Sequence, residues 1–263
     1  MASDEVVFCK ENVEFLNGKE LLDEKICTSV VYTDASGTGF GGYIVDYEKR
    51  EVKGSWKPEE QEKSSTWREL EAVYRMLMSK LTYLKGQKVL WRTEDQNVVH
   101  ILYKGSVKSD LQRIAINIAD ICTRKEIQLS PQWIPRTDNV KADLFSKKSD
   151  CDDLEIKEYI FNHLNKKWVR YSIDRFASDY NKKKCIRFNS KHWCTGTEGI
   201  DAFNYAWAEE NSWIVPPPSL IAKCILKIKQ EHVTCTLVIP KWTSAAFWPL
   251  LVTENGGGGG VVN

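Results

Sequence analysis

The stretch that decides the fold is "VYTDASGTGFGGYIV", residues 31–45. An apolar run rich in β-branched and aromatic residues ends on a lone acid, Asp34, and the chain then passes through four glycines into a second apolar run. That composition predicts two short strands joined by a turn, with the glycines letting the chain fold back as the next strand. For Asp34 alone two readings stay open. An acid at a strand end is often a solvated cap, and it is also a usable metal ligand.

Working outward, "TSVVYTDA", "GFGGYIVDYE" and "EVKGSWK" predict an antiparallel meander. In "SSTWRELEAVYRMLMSKL", Leu70, Val73, Tyr74, Leu77 and Leu81 recur at helical spacing, with Ser64 to Thr66 as cap candidates. The strand "QKVLWRT", a helix from Asn97 to Tyr103, a longer helix in "SDLQRIAINIADICTRK", the strand "IQLSPQWIP" and a helix in "NVKADLFSK" follow. The order predicts an α/β layered domain ending near Lys148.

Beyond the acidic linker "SDCDDLE", the segment "EIKEYIFNHLNKKW" reads as a helix, and the chain then turns irregular and aromatic. Near its end "SWIV", "SLIAKCILKIKQEH" and "TCTLVIP" read as strand, helix and strand, predicting a second, smaller α/β unit of parallel type. Trp193, Trp207, Trp213, Trp242 and Trp248 are expected in its core. The Gly-rich tail, 254–263, is excluded from the fold.

A formal net charge of +1 across 263 residues rules out a strongly basic whole-chain surface, so a polyanion must be held by local chemistry. The eight cysteines form no C-x-x-C pair, which argues against a zinc ribbon or thioredoxin-like site and predicts reduced, mostly buried thiols. No run approaches the roughly 18 apolar residues of a membrane helix, and no secretory leader is evident. An intracellular protein of nucleus or cytoplasm, without a membrane partner, is the expectation.

In the first domain Asp34, Glu69, Glu94 with Asp95, and Asp143 stand on separate predicted elements. Acids converging from four elements on one edge would make a hard, oxygen-lined site suited to Mg²⁺ or Mn²⁺.

The strings "YTDASGTGFGGYIV", "STWRELEAV", "TEDQNVV" and "WIPRTDNVKADLFS", in this order and spacing, resemble the type 1 ribonuclease H domain. They are most similar to the version carried by polyproteins of DIRS-like, tyrosine-recombinase retroelements. The resemblance covers residues 28–148 and implies a five-stranded mixed sheet with flanking helices. Residues 1–27 resemble the reverse-transcriptase connection that precedes such a domain. In the family four carboxylates hold two divalent ions about 4 Å apart and cleave the RNA strand of RNA–DNA hybrids. Carried over, Asp34 would bridge both ions, Asp143 would join it on the water-activating ion, and Glu69 would hold the other.

The third family position departs from the pattern. The family reads Thr-Asp, whereas this chain reads Thr93, Glu94, Asp95, Gln96, so register puts Glu94 at the ligand position. An extra methylene extends a carboxylate by roughly 1.5 Å, against a tolerance of about 0.5 Å for catalytic groups. Asp95 is the substitute, although in a strand it points to the opposite face. Arg136 stands where many members carry a histidine, and arginine cannot shuttle protons. Ser65, Thr66, Gln96 and Asn139 are the residues expected to meet the hybrid's minor groove and 2′-hydroxyls. A reverse transcriptase or other retroelement protein is the expected protein partner.

Residues 168–251 resemble the DNA adenine methyltransferase-like domain of the same elements, through "YSIDRFASDYNKKKCIRFNS", "IDAFNYAW" and "NSWIVPPPSLIAKCILKIK". Active relatives end the key strand in Asn or Asp, Pro, Pro and an aromatic that grip a flipped adenine. Here Val215, Pro216, Pro217 and Pro218 stand there, so 149–253 reads as a remnant. Asp174 still matches the acid near the S-adenosylmethionine cofactor, but cofactor use is not expected. The reading is therefore a ribonuclease H-type endonuclease. A catalytically decayed nucleic-acid-binding or structural module is the alternative, and an adenine methyltransferase the minor one.

Overall fold

Residues 29–35 form the central strand of a sheet because their alternate side chains meet different surroundings: Val31 and Thr33 are fully buried, while Tyr32 stays half-exposed. The computed structural model describes residues 2–16, 27–45, 51–147, 155–168, 170–183 and 187–251. The chain divides into two compact units, Met1–Asp150 and Cys151–Asn263. The Gly-rich tail, Cys151 and Cys185 lie outside the described residues.

In the first unit a helix, α1 (Ala2–Leu16), precedes the meander β1 (Ser29–Ala35), β2 (Gly39–Ile44) and β3 (Glu51–Ser55). Then come α2 (Pro58–Gln61), α3 (Ser65–Ser79), α4 (Leu81–Leu84), β4 (Lys88–Thr93), α5 (Gln96–Lys104), α6 (Ser109–Arg124), β5 (Gln128–Trp133), a 3₁₀ turn at Arg136–Asp138 and α7 (Val140–Lys147). The strand order is β3-β2-β1-β4-β5, antiparallel between β1, β2 and β3 and parallel from β1 through β4 to β5. This is the five-stranded mixed sheet with flanking helices that the resemblance of residues 28–148 implies.

Helix α3 begins where the Ser64 side chain accepts the Trp67 N–H and buries Leu70, Val73, Met76 and Leu77 at 3–4 residue spacing. These join Val31, Val52, Val89 and Trp91 from the sheet and Leu111, Ile114 and Ile118 from α6 in one core. Buried Arg75 is held by Glu71 and Glu60 and stacks over Phe40 and Trp56, which satisfies its charge inside that core.

The glycines of 31–45 do a different job from the one expected. None of them has positive φ, and the β1–β2 turn is organised instead by Ser36, whose Oγ accepts the backbone N–H groups of Thr38 and Gly39. A Cβ on Gly41 would lie 2.4 Å from Phe145 Cβ and 2.5 Å from the Ser146 N, so the missing side chain lets α7 lie directly on β2.

The second unit holds α8 (Glu158–Lys167), β6 (Ile173–Asp174), β7 (Arg187–Ser190), β8 (Gly199–Ile200), β9 (Ser212–Ile214), α9 (Ile221–Glu231) and β10 (Cys235–Leu237). Its sheet runs β10-β9-β6-β7-β8, every pairing parallel. The strands β6, β7 and β8 fall in the stretch that reads as irregular, since runs of two to four residues are too short for periodicity to register. Trp207 and Trp213 are fully buried and Trp248 packs partly against the Ile221, Ile225 and Phe247 cluster. Trp193 is only half-buried, and Trp242, expected in the core, is exposed. Among the described cysteines Cys122, Cys194 and Cys224 are buried, Cys27 and Cys235 intermediate and Cys9 exposed. No helix among the described residues is long and apolar enough to cross a membrane.

Candidate metal centre

Parity in the sheet brings the acids together. The parallel register pairs Tyr32 of β1 with Arg92 of β4, so two residues further along Asp34 and Glu94 emerge on the same face at the strand ends. From across the edge, Glu69 of α3 reaches in and its Oε1 accepts the Ala35 N–H at 3.1 Å. One carboxylate oxygen each from Asp34, Glu69 and Glu94 lies within 4.8 Å of the other two. These acids line a cleft of about 410 Å³ with Ser36, Ser65, Asp95, Gln96, Arg136, Asp143 and Lys147 also at its wall.

The choice between Glu94 and Asp95 falls to Glu94. Asp95 has the opposite parity and has become the N-cap of α5, its Oδ1 accepting Asn97 N–H at 2.7 Å and Val98 N–H at 3.4 Å. Its Oδ2 accepts the Thr66 hydroxyl at 3.0 Å. Asp95 is therefore spoken for by the start of α5 and by Thr66. The extra methylene of Glu94 does not keep it out of the cluster: β4 ends at Thr93, the chain bends at Glu94, and its carboxylate reaches within 4.8 Å of those of Asp34 and Glu69.

Asp143 lines the same cleft but stands outside the three-acid group. Its Oδ1 accepts from Arg136 at 2.9 Å, and Lys147, one turn along α7, donates to its Oδ2 at 2.7 Å. Ser146 of α7 donates to Asp34 Oδ2 at 2.5 Å. Ser146 and Lys147 were missed in the sequence, although their spacing of three and four from Asp143 on a helix was a usable signal.

Asn139, expected to meet a nucleic acid, is 1% exposed; its Nδ2 donates to the Thr33 carbonyl at 3.0 Å and ties the start of α7 to β1. Ser65 and Gln96 are exposed at the cleft, whereas Thr66 supports Asp95. In the second unit Asp174 is buried at the end of β6, where its carboxylate accepts the Phe176 and Lys183 N–H groups at 3.4 Å, the part of a local cap.

Electrostatically the cluster is uncomfortable. Burial, then the charge of Asp34, pushes the Glu69 carboxyl well above the usual carboxylate range. Burial also raises Asp34, against the Ser146 hydrogen bond, and raises Glu94, aided by Asp34. Asp143 is instead held low by the hydrogen bond from Lys147 and by that from Arg136. Glu69 Oε2 and Glu94 Oε2 are buried without a hydrogen-bond partner. Unpartnered buried carboxylate oxygens are costly, and an all-oxygen donor set with like charges crowded together fits a hard divalent cation such as Mg²⁺ or Mn²⁺.

Among solved structures the chain is similar to LC11-RNase H1 in complex with RNA/DNA hybrid, at 24% identity over 45% of this chain and 93% of that one, with a TM-score of 0.39. It is also similar to RNase H1 from the halophilic archaeon Halobacterium salinarum, at 18% identity over 44% and 92%, TM-score 0.37. A third is the prototype foamy virus protease–reverse transcriptase, at 14% identity over 47% of this chain and 18% of that one, TM-score 0.32. No family model and no curated protein matches.

Proposed function

We propose that the first unit is a metal-dependent endonuclease of ribonuclease H type, acting on the RNA strand of RNA–DNA hybrids. The observation that carries the reading is the meeting of Asp34, Glu69 and Glu94, from three separate elements, with two buried carboxylate oxygens left without partners. Asp34, Glu69 and Glu94 would hold the divalent ions, with Asp143 as a fourth ligand once its ion pairs are released. Two such ions would supply a water of lowered pKa and a counter-charge for the leaving oxygen. The chain's own residues do the rest: Ser146 and the Ala35 N–H orient Asp34 and Glu69, Asn139 anchors α7, and exposed Ser65 and Gln96 face the groove of the hybrid. The four sequence motifs support an origin in a retroelement polyprotein, where a reverse transcriptase would deliver the hybrid.

Purified protein is incubated with a labelled hybrid in Mg²⁺ and in Mn²⁺ beside Asp34→Asn. Cleavage of the RNA strand that disappears in the variant is the expected result. No cleavage in either metal, or equal cleavage by the variant, overturns the reading.

A decayed, binding-only module is the second reading, favoured by Glu94 standing where the family carries Asp and by the engagement of Asp143 with Arg136 and Lys147. It predicts an inert parent that Glu94→Asp restores. For the second unit, a methyltransferase remnant is the reading supported by Val215, which packs with Phe161, Tyr171 and Trp213 and offers no hydrogen-bond acceptor from its side chain. Calorimetry with S-adenosylmethionine is expected to give no heat of binding.

A further inference from the structure

We propose that Arg136 and Lys147 form a built-in counter-ion that keeps Asp143 out of the carboxylate site, so that a second divalent cation is admitted only when both let go. The inference rests on the metal-centre reading above. The cleft has two unlike halves. In one, Glu69 Oε2 and Glu94 Oε2 are buried with no partner, and Glu69 is only 5% exposed. In the other, both Asp143 oxygens are taken, Oδ1 by Arg136 at 2.9 Å and by Lys147 at 2.6 Å, Oδ2 by Lys147 at 2.7 Å.

The flanking sequence builds this clamp. Arg136 opens the 3₁₀ turn before α7, and Lys147 lies four residues after Asp143 on α7 itself. Both approach from the solvent side, with side chains 67% and 51% exposed, and each can swing away without disturbing packing. Exposed ion pairs are individually weak, so the clamp is displaceable. A divalent ion competing for Asp143 therefore meets a modest barrier, while among the described residues no ion pair holds Asp34, Glu69 or Glu94. Loading is stepwise: Asp34, Glu69 and Glu94 take the first ion, and the Asp143 side takes the second at higher concentration.

The test is a Mn²⁺ titration of the full chain, followed by calorimetry and by electron paramagnetic resonance of free Mn²⁺. It compares wild type with the double variant Arg136→Gln, Lys147→Gln. Lys141→Gln is the control, since Lys141 is an exposed cation of the same helix that pairs with Glu51. The double variant is expected to tighten the second step roughly 10-fold while moving the first less than about 2-fold. Lys141→Gln is expected to move neither. A second step unchanged in the double variant, or both steps tightened equally, overturns the clamp while an Asp34→Asn-sensitive first step leaves the metal centre standing. Absence of any Mn²⁺ uptake overturns both.

Discussion

At the scale of a single residue, Glu94 joins the acid cluster while its neighbour Asp95 caps a helix. Glu94→Gln removes the negative charge of one of the three clustered carboxylates and is expected to lower hybrid cleavage by at least about 100-fold, measured at saturating Mg²⁺. Asp95→Ala is expected to cost about 1 kcal/mol in a denaturant titration, through loss of the α5 cap, and to spare the metal site. Glu69 has the opposite relation to stability. Its folded carboxyl binds a proton more tightly than the unfolded chain does, so its contribution is least unfavourable on the acid side. Stability in chelator then falls as pH rises from the ordinary value of 4.5 toward the raised folded one. Glu69→Gln is expected to flatten that fall and to raise stability in chelator at neutral pH by about 1–3 kcal/mol. Denaturant titrations across pH, with chelator present, measure both effects.

At the scale of elements, the contact of α7 with β2 brings Asp143 and Ser146 to the strand ends. Gly41 makes that contact possible, because α7 backbone occupies the place of its Cβ. Gly41→Ala is expected to destabilise the first unit by about 1–3 kcal/mol and to abolish cleavage by displacing α7, whereas an alanine at exposed Gly37, whose nearest neighbour is 3.9 Å away, leaves both unchanged. Denaturation and cleavage measured on the same preparations separate the two positions.

At the scale of the molecule, every candidate acid of the metal centre belongs to Met1–Asp150. That unit has its own core of sheet, α3 and α6, so residues 1–150 expressed alone are expected to unfold in one cooperative step and to cleave the hybrid within about 3-fold of the full chain. With a net charge of only +1, affinity for hybrid is expected to be weak and to fall as salt rises, which a binding titration at two salt concentrations measures.

The meander, the amphipathic α3 and α6 and the candidacy of Asp34, Glu69, Glu94 and Asp143 were legible in the chain, because period, turn residues and motif spacing are local properties, while the mixed sheet was implied by the family resemblance. The strands β6, β7 and β8 of the second unit were not, since runs of two to four residues carry no readable period and are defined by their neighbours. Likewise nothing local separates a buried Asn139 from an exposed one, or Trp242 from Trp207. By itself the sequence determined that the acids lie on separate elements. Only the tertiary structure decided that Glu94 enters the cluster while Asp95 caps a helix, and that Asp143 is held by Arg136 and Lys147, because those outcomes depend on which face each strand end presents and on which charges packing brings within hydrogen-bond reach.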